Sequence, residues 1–138
     1  MISSGPMEDR LAIRELVESY NDAVMRFDGE AWAANWREDA TWSLPGMDAI
    51  TGKDKFFPIW QQAMSAFSFV GFFASPGPIV VDGDRAHGTW YQQEFLHQKD
   101  GVRHTITGCY TDDYVKVDGR WYFQRRDYLI MNAEKSGA

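Results

Sequence analysis

Residues 82–131 read DGDRAHGTWYQQEFLHQKDGVRHTITGCYTDDYVKVDGRWYFQRRDYLIM, and three Asp-Gly pairs divide them: Asp82-Gly83, Asp100-Gly101 and Asp118-Gly119, each 18 residues from the last. Asp-Gly supplies the residues that tolerate positive φ, which a tight hairpin turn requires. The runs between these pairs, residues 85–99, 102–117 and 120–131, are rich in Thr, Val, Ile, Tyr, Trp and Phe, the residue types that suit a pleated, half-buried surface. Together with residues 69–81 they predict a four-strand antiparallel meander. Such arms are far longer than the usual strand of about five or six residues, and long strands twist and coil. Gly88 and Gly108 fall inside arms and mark expected bends or bulges.

Upstream the period changes from two to 3.6. Pro6, followed by Glu8 and Asp9, reads as a helix start. Ile13, Leu16, Val17, Tyr20, Val24 and Phe27 then repeat on one helical face, which predicts a helix over residues 7–27. Asp28-Gly29 interrupts it, and residues 30–37 resume it as a short helix with Trp32 and Trp36 one turn apart. Residues 39–44 alternate weakly, as a short strand would, before Pro45-Gly46 turns the chain. Thr51-Gly52-Lys53-Asp54 resembles a capping box opening a third helix with Phe56, Trp60, Ala63, Met64 and Phe67 inward. Pro58 is expected to kink or delay that helix. Helices first and a curled sheet second predict an α+β half-barrel closed at one mouth by the helices. One domain over residues 7–133 is expected, with loose ends at residues 1–6 and 134–138.

The chain has 138 residues, 15% of them aromatic, and a net charge of −6 from 20 acidic and 14 basic side chains. So many rings call for a large core, a subunit interface or an apolar pocket. No Lys/Arg run is present to neutralise a phosphate backbone, so nucleic acid and anionic membrane surfaces are not expected partners. Cys109 is the single cysteine, which rules out an internal disulfide and suits a reducing cytoplasm. No secretory leader or membrane-spanning run is legible. Three scattered histidines and no Gly-rich phosphate loop give neither a metal nor a nucleotide cofactor a visible seat.

The order of these elements, with particular residues, resembles the nuclear transport factor 2-like superfamily and its SnoaL-like branch. The resemblance rests on Leu11-Ala12-Ile13-Arg14-Glu15-Leu16 leading to Tyr20-Asn21, on Phe27-Asp28-Gly29-Glu30-Ala31-Trp32, and on Glu38-Asp39-Ala40-Thr41-Trp42. It continues through Val81-Asp82-Gly83-Asp84-Arg85-Ala86-His87-Gly88-Thr89-Trp90-Tyr91, Gly108-Cys109-Tyr110-Thr111-Asp112 and Val117-Asp118-Gly119-Arg120-Trp121. It implies a cone-shaped cavity between the helices and the concave sheet face. Enzymes of this kind include scytalone dehydratase, bile-acid dehydratases, hexachlorocyclohexane dehydrochlorinase, ketosteroid isomerase and polyketide cyclases. Most need no cofactor, and many abstract a proton with an acidic side chain in the cavity, often backed by a histidine.

On that resemblance Asp28 matches the family's catalytic Asp, and in an apolar cavity a carboxylate becomes a stronger base. Asp before Gly29-Glu30-Ala31-Trp32 is equally an ordinary helix N-cap. The family's histidine position falls near Gly71, where none occurs; His104 or His97 could replace it, whereas His87 beside a turn reads as surface. Arg126 lies where the dehydrochlorinase carries an active-site arginine and could stabilise developing negative charge; Arg125 and Asp127 should face the other way. Tyr110, Tyr20, Tyr91 and Tyr128 are candidate hydroxyl donors, and Trp42, Trp60, Phe69, Phe72 and Phe73 are candidates for an apolar wall. The expected activity is a cofactor-independent lyase or isomerase, dehydratase-like in its proton abstraction, acting on a small hydrophobic ring compound. The rival is a non-catalytic binding protein, or a structural subunit resembling the β subunit of a ring-hydroxylating dioxygenase. A homodimer is expected, because long aromatic arms leave an apolar outer sheet face.

Overall fold

Pro6 fixes the backbone before the first helix, and its carbonyl accepts the Arg10 N–H at 3.1 Å. In the computed structural model, which describes residues 1–137, α1 then runs Met7–Met25 with Ile13, Leu16, Val17, Tyr20, Ala23 and Val24 buried along one face. Its end is set by Phe27, not by Gly29. Phe27 takes the left-handed conformation at φ 56°, and the Phe27 and Asp28 N–H groups donate to Val24 O and Ala23 O, the reciprocal pattern that terminates a helix and is usually built on glycine. Gly29 instead opens α2, Gly29–Ala34.

Trp36, expected at the end of that helix, begins β1, Trp36–Ser43. The Phe123 N–H donates to Asn35 O at 2.9 Å, so the sheet captures the chain one residue before another helical turn could form. The capping box does not form either. Thr51 belongs to β2, Ile50–Thr51, where its hydroxyl meets that of Thr41 at 2.8 Å, and Gly52 precedes α3, Lys53–Met64, at φ 111°. Pro58 lies inside α3 without delaying its start.

The meander forms as expected, from β3 (Phe67–Asp82), β4 (Arg85–Gln98), β5 (Arg103–Val117) and β6 (Arg120–Ser136). All three Asp-Gly pairs turn antiparallel hairpins; Asp118 and Gly119 both have positive φ, as a two-residue turn between right-twisted strands demands. Irregularities occur at both glycines: β3 slips between Pro76 and Ile79, opposite Gly88, and β5 slips against β6 between Thr107 and Gly108. The sheet differs from a purely antiparallel one in a single respect. Its order is β2-β1-β6-β5-β4-β3, and β1 lies parallel to β6, with Trp42 beside Arg126. The six strands therefore make a mixed, curled, unclosed sheet.

The segments expected to be loose are partly tied. Ser4 bridges Val80, and β6 runs on to Ser136 beside β5; Ala138 lies outside the described residues. The helices lie over the inner face of the sheet, and an aromatic cluster fills the space between. Trp32 stacks on Trp60 at 4.6 Å, and Trp36, Phe56 and Trp42 close around them. Asp9 clamps α1 to the meander, accepting from Trp121 Nε1 at 2.9 Å and Lys116 Nζ at 3.0 Å. Among the described residues no helix is long and apolar enough to cross a membrane.

Candidate functional site

Between α1, α3 and the inner sheet face lies a cavity of about 140 Å³. Strand alternation decides what enters it from β4: Trp90, Gln92, Glu94 and Leu96 share the inner phase, so a carboxylate stands in a run of otherwise uncharged inward residues. Tyr20 and Val24 of α1, Trp42 of β1, Trp60 of α3, Phe72 of β3, Tyr110 of β5 and Tyr128 of β6 supply much of the remaining wall. Of the residues named from sequence, Tyr20, Trp42, Trp60, Phe72, Tyr110 and Tyr128 do line it.

The polar centre of the cavity pairs Tyr128, a candidate from the sequence, with Glu94, which the sequence reading missed. The Tyr128 hydroxyl donates to Glu94 Oε2 at 2.5 Å. Burial pushes the Glu94 carboxyl above its ordinary range, and the bond from Tyr128 partly opposes that shift. Burial also raises Tyr128, and the neighbouring Glu94 raises it further. To reach from β6 to β4 the Tyr128 ring crosses β5 at Gly108, where any Cβ would overlap the phenol. On the near side it stacks against Tyr110 at 4.4 Å. Gly108 thus allows the phenol to reach the carboxylate.

Beneath this layer lies a second buried network. Arg126 is fully buried and donates from Nε to Asp112 Oδ1 at 2.7 Å and from Nη2 to Asp112 Oδ2 at 3.0 Å. Tyr114 donates to the same carboxylate at 2.8 Å and accepts from Trp90 Nε1 at 2.8 Å. Burial works against the Arg126 charge, and Asp112 restores it. The guanidinium carbon lies 3.7 Å from the Tyr110 ring centroid and 4.5 Å from that of Tyr20. Arg126 therefore does not line the cavity, as the sequence reading had it; its charge sits behind two of the tyrosines that do. Arg125 and Asp127 face outward as expected, joined at 2.9 Å.

Several expected site residues lie elsewhere. Asp28 is the N-cap of α2: its Oδ1 accepts the Ala31 N–H at 3.1 Å, Arg26 stands 3.7 Å from Oδ2, and the carboxylate is outside the cavity wall. Phe69, Phe73 and Tyr91 project from the outer sheet face, each about half exposed. Their place in the alternation is opposite to that of Val70, Phe72 and Gln92. His104 lies opposite Leu96 in the register, on the inner face but beyond the cavity lining. His97 packs against Phe69 on the outer face, ring centres 5.0 Å apart. Among the described residues no group of three or more His, Cys, Asp or Glu side chains is placed to hold a metal ion.

A curled mixed sheet with helices over one face and a small aromatic cavity between them defines an α+β cavity fold. Residues 6–127 match the model of the SnoaL-like domain, and the chain belongs to that family, within the nuclear transport factor 2-like superfamily. No curated protein sequence matches it. Among solved structures, a type 2 hexachlorocyclohexane dehydrochlorinase superposes with a TM-score of 0.86 at 17% identity, over 96% of this chain and 91% of that one. A candidate scytalone dehydratase from Novosphingobium aromaticivorans gives 0.87 at 22% identity, over 96% and 90%. A candidate aromatic ring hydroxylase from the same organism gives 0.89 at 24%, over 98% and 96%. At these identities the likeness establishes the shared fold.

Proposed function

We propose that the protein is a cofactor-independent lyase or isomerase that moves a proton on a small hydrophobic ring compound, with Glu94 as the acid/base and Tyr128 as its hydrogen-bonding partner. The observation that carries this reading is the Glu94–Tyr128 pair, 2.5 Å apart in an apolar cavity. A carboxylate with a raised pKa is matched to proton transfer near neutral pH. Glu94 takes the proton from a substrate C–H, and the bond's electron pair moves into a new C=C as a leaving group departs, or into an enolate. As Glu94 becomes protonated, the Tyr128 hydroxyl turns from it and donates its one proton to the oxygen on which charge collects. Return of the proton from Glu94 to another carbon gives isomerisation; departure of halide, or of a hydroxyl that takes the Glu94 proton and leaves as water, gives a lyase. Arg126, its charge held by Asp112, packs behind Tyr110 and Tyr20 and positions them in the wall. The same reading places the protein in the cytoplasm, with its single thiol reduced.

The test needs no natural substrate. The protein should catalyse deuterium exchange at the α-carbon of a cyclic ketone in D₂O, followed by NMR, and Glu94→Gln should slow it by about 10² to 10⁴. Exchange unaffected by Glu94→Gln would remove Glu94 from the mechanism. The engagement of Asp28 with Ala31 and Arg26 supports a second reading, a non-catalytic binding protein or structural subunit. Under it ligands bind without any exchange.

A further inference from the structure

We infer that the ligand is a single-ring compound that carries no negative charge and bears a hydroxyl or carbonyl group, an inference that takes Glu94 and Tyr128 as the polar pole of the cavity. Size comes first. The cavity holds about 140 Å³, close to the roughly 150 Å³ of an apolar protein cavity that takes up benzene. One six-membered ring with a small substituent fills it, whereas a fused ring system would have to project through its open mouth.

Charge comes second. Among the described residues no Lys, Arg or His lines the cavity, and its one ionisable acid is Glu94. A carboxylate or phosphate ligand would meet like charge with no cation to offset it. The Arg126 guanidinium behind Tyr110 and Tyr20 does not supply that cation, because Asp112 holds it in a bidentate pair. Ligands without negative charge remain. The third constraint is polarity: Glu94 and Tyr128, bonded to each other, form the one acidic pole, and the Tyr20 and Tyr110 hydroxyls and Trp42 Nε1 are the few other polar groups of a wall that is otherwise aromatic or aliphatic. A ring with few oxygen substituents matches that wall; a sugar or other polyol would strand most of its hydroxyls.

The experiment is binding, followed by thermal shift and isothermal calorimetry on the full chain, so that a failure of catalysis leaves it readable. Phenol and cyclohexanone should bind saturably, with dissociation constants on the order of 1 mM or tighter. Benzoate, 2-naphthol and a four-ring steroid should each bind at least about tenfold more weakly than phenol. Leu96→Trp, which fills the cavity from β4, should abolish phenol binding; if that variant does not fold, Val24→Phe does the same from α1. Equal or tighter binding of 2-naphthol or the steroid would overturn the size argument, and equal or tighter binding of benzoate would overturn the charge argument. Phenol binding that survives in a folded cavity-filled variant would put the ligand elsewhere and overturn the inference.

Discussion

The carboxylate of Asp28 is directed to the Ala31 N–H and the Arg26 guanidinium, whereas that of Glu94 has a phenol as its hydrogen-bond partner and loses most of its water. Asp28→Ala should therefore cost about 0.5 to 2 kcal/mol of stability, while Asp28→Asn, an equally good cap, should leave both stability and proton exchange intact; urea denaturation with the exchange assay reads both. For Glu94 the signature is in pH. Its active form is the carboxylate and its folded pKa lies above the ordinary value of 4.5, so the rate should rise with pH through a limb above that value. Tyr128 lowers this pKa, so Tyr128→Phe should move the limb upward. The stability effect has the opposite slope: a raised acid contributes stability that is full below about 4.5 and lost as pH rises through the folded value. Glu94→Gln should flatten that part of the stability profile, and an unchanged profile would mean that Glu94 does not carry the shift.

Strand β5 holds two devices that differ in how readable they were. Gly108 stood out in the sequence as a glycine inside an arm, but its use, giving Tyr128 passage to Glu94, depends on side chains three strands wide. Gly108→Ala should cost about 1 to 3 kcal/mol through overpacking and reproduce the pH-limb shift of Tyr128→Phe. The Asp112–Arg126 pair was hidden by register. Counted back from the Asp118-Gly119 turn, Asp112 faces Arg125; a slip between Asp113 and Tyr114 brings it opposite Arg126 instead. Arg126→Met should cost about 3 to 5 kcal/mol by leaving Asp112 buried without its cation, and Arg126→Met with Asp112→Leu should recover much of that in thermal melts. The hairpins, the helical face of α1 and most of the cavity tyrosines were legible because they follow from local period and turn chemistry. Glu94 was missed although its phase with Trp90 and Leu96 was available, since its chemistry comes from Tyr128, 34 residues away. The parallel β1–β6 pairing is a non-local contact with no local signal.

Across the whole molecule, the outer sheet face carries an apolar band that alternation alone would assign to solvent. Phe73 is 54% exposed, Tyr91 46% and Leu129 65%, with Phe69 and Phe95 beside them. The register sets them side by side across four strands: Gly71 opposite Phe95, Ser75 opposite Tyr91, and Cys109 between Tyr91 and Leu129. We propose that a second copy of the chain covers this band. The band is uncharged from Phe73 through Tyr91 and Cys109 to Leu129, so two chains of net charge −6 can meet there without opposing carboxylates, and a self-complementary apolar face is what a two-fold dimer requires. An acidic or basic partner would find no counter-charge on it. Sedimentation at micromolar concentration should show a species of twice the chain mass. Phe73→Lys and Tyr91→Lys together should shift it to the monomer, with phenol binding retained because both side chains point away from the cavity. A wild-type chain that sediments only as monomer would leave the band uncovered and end the dimer proposal, and an association that survives both lysines would move the interface to another face.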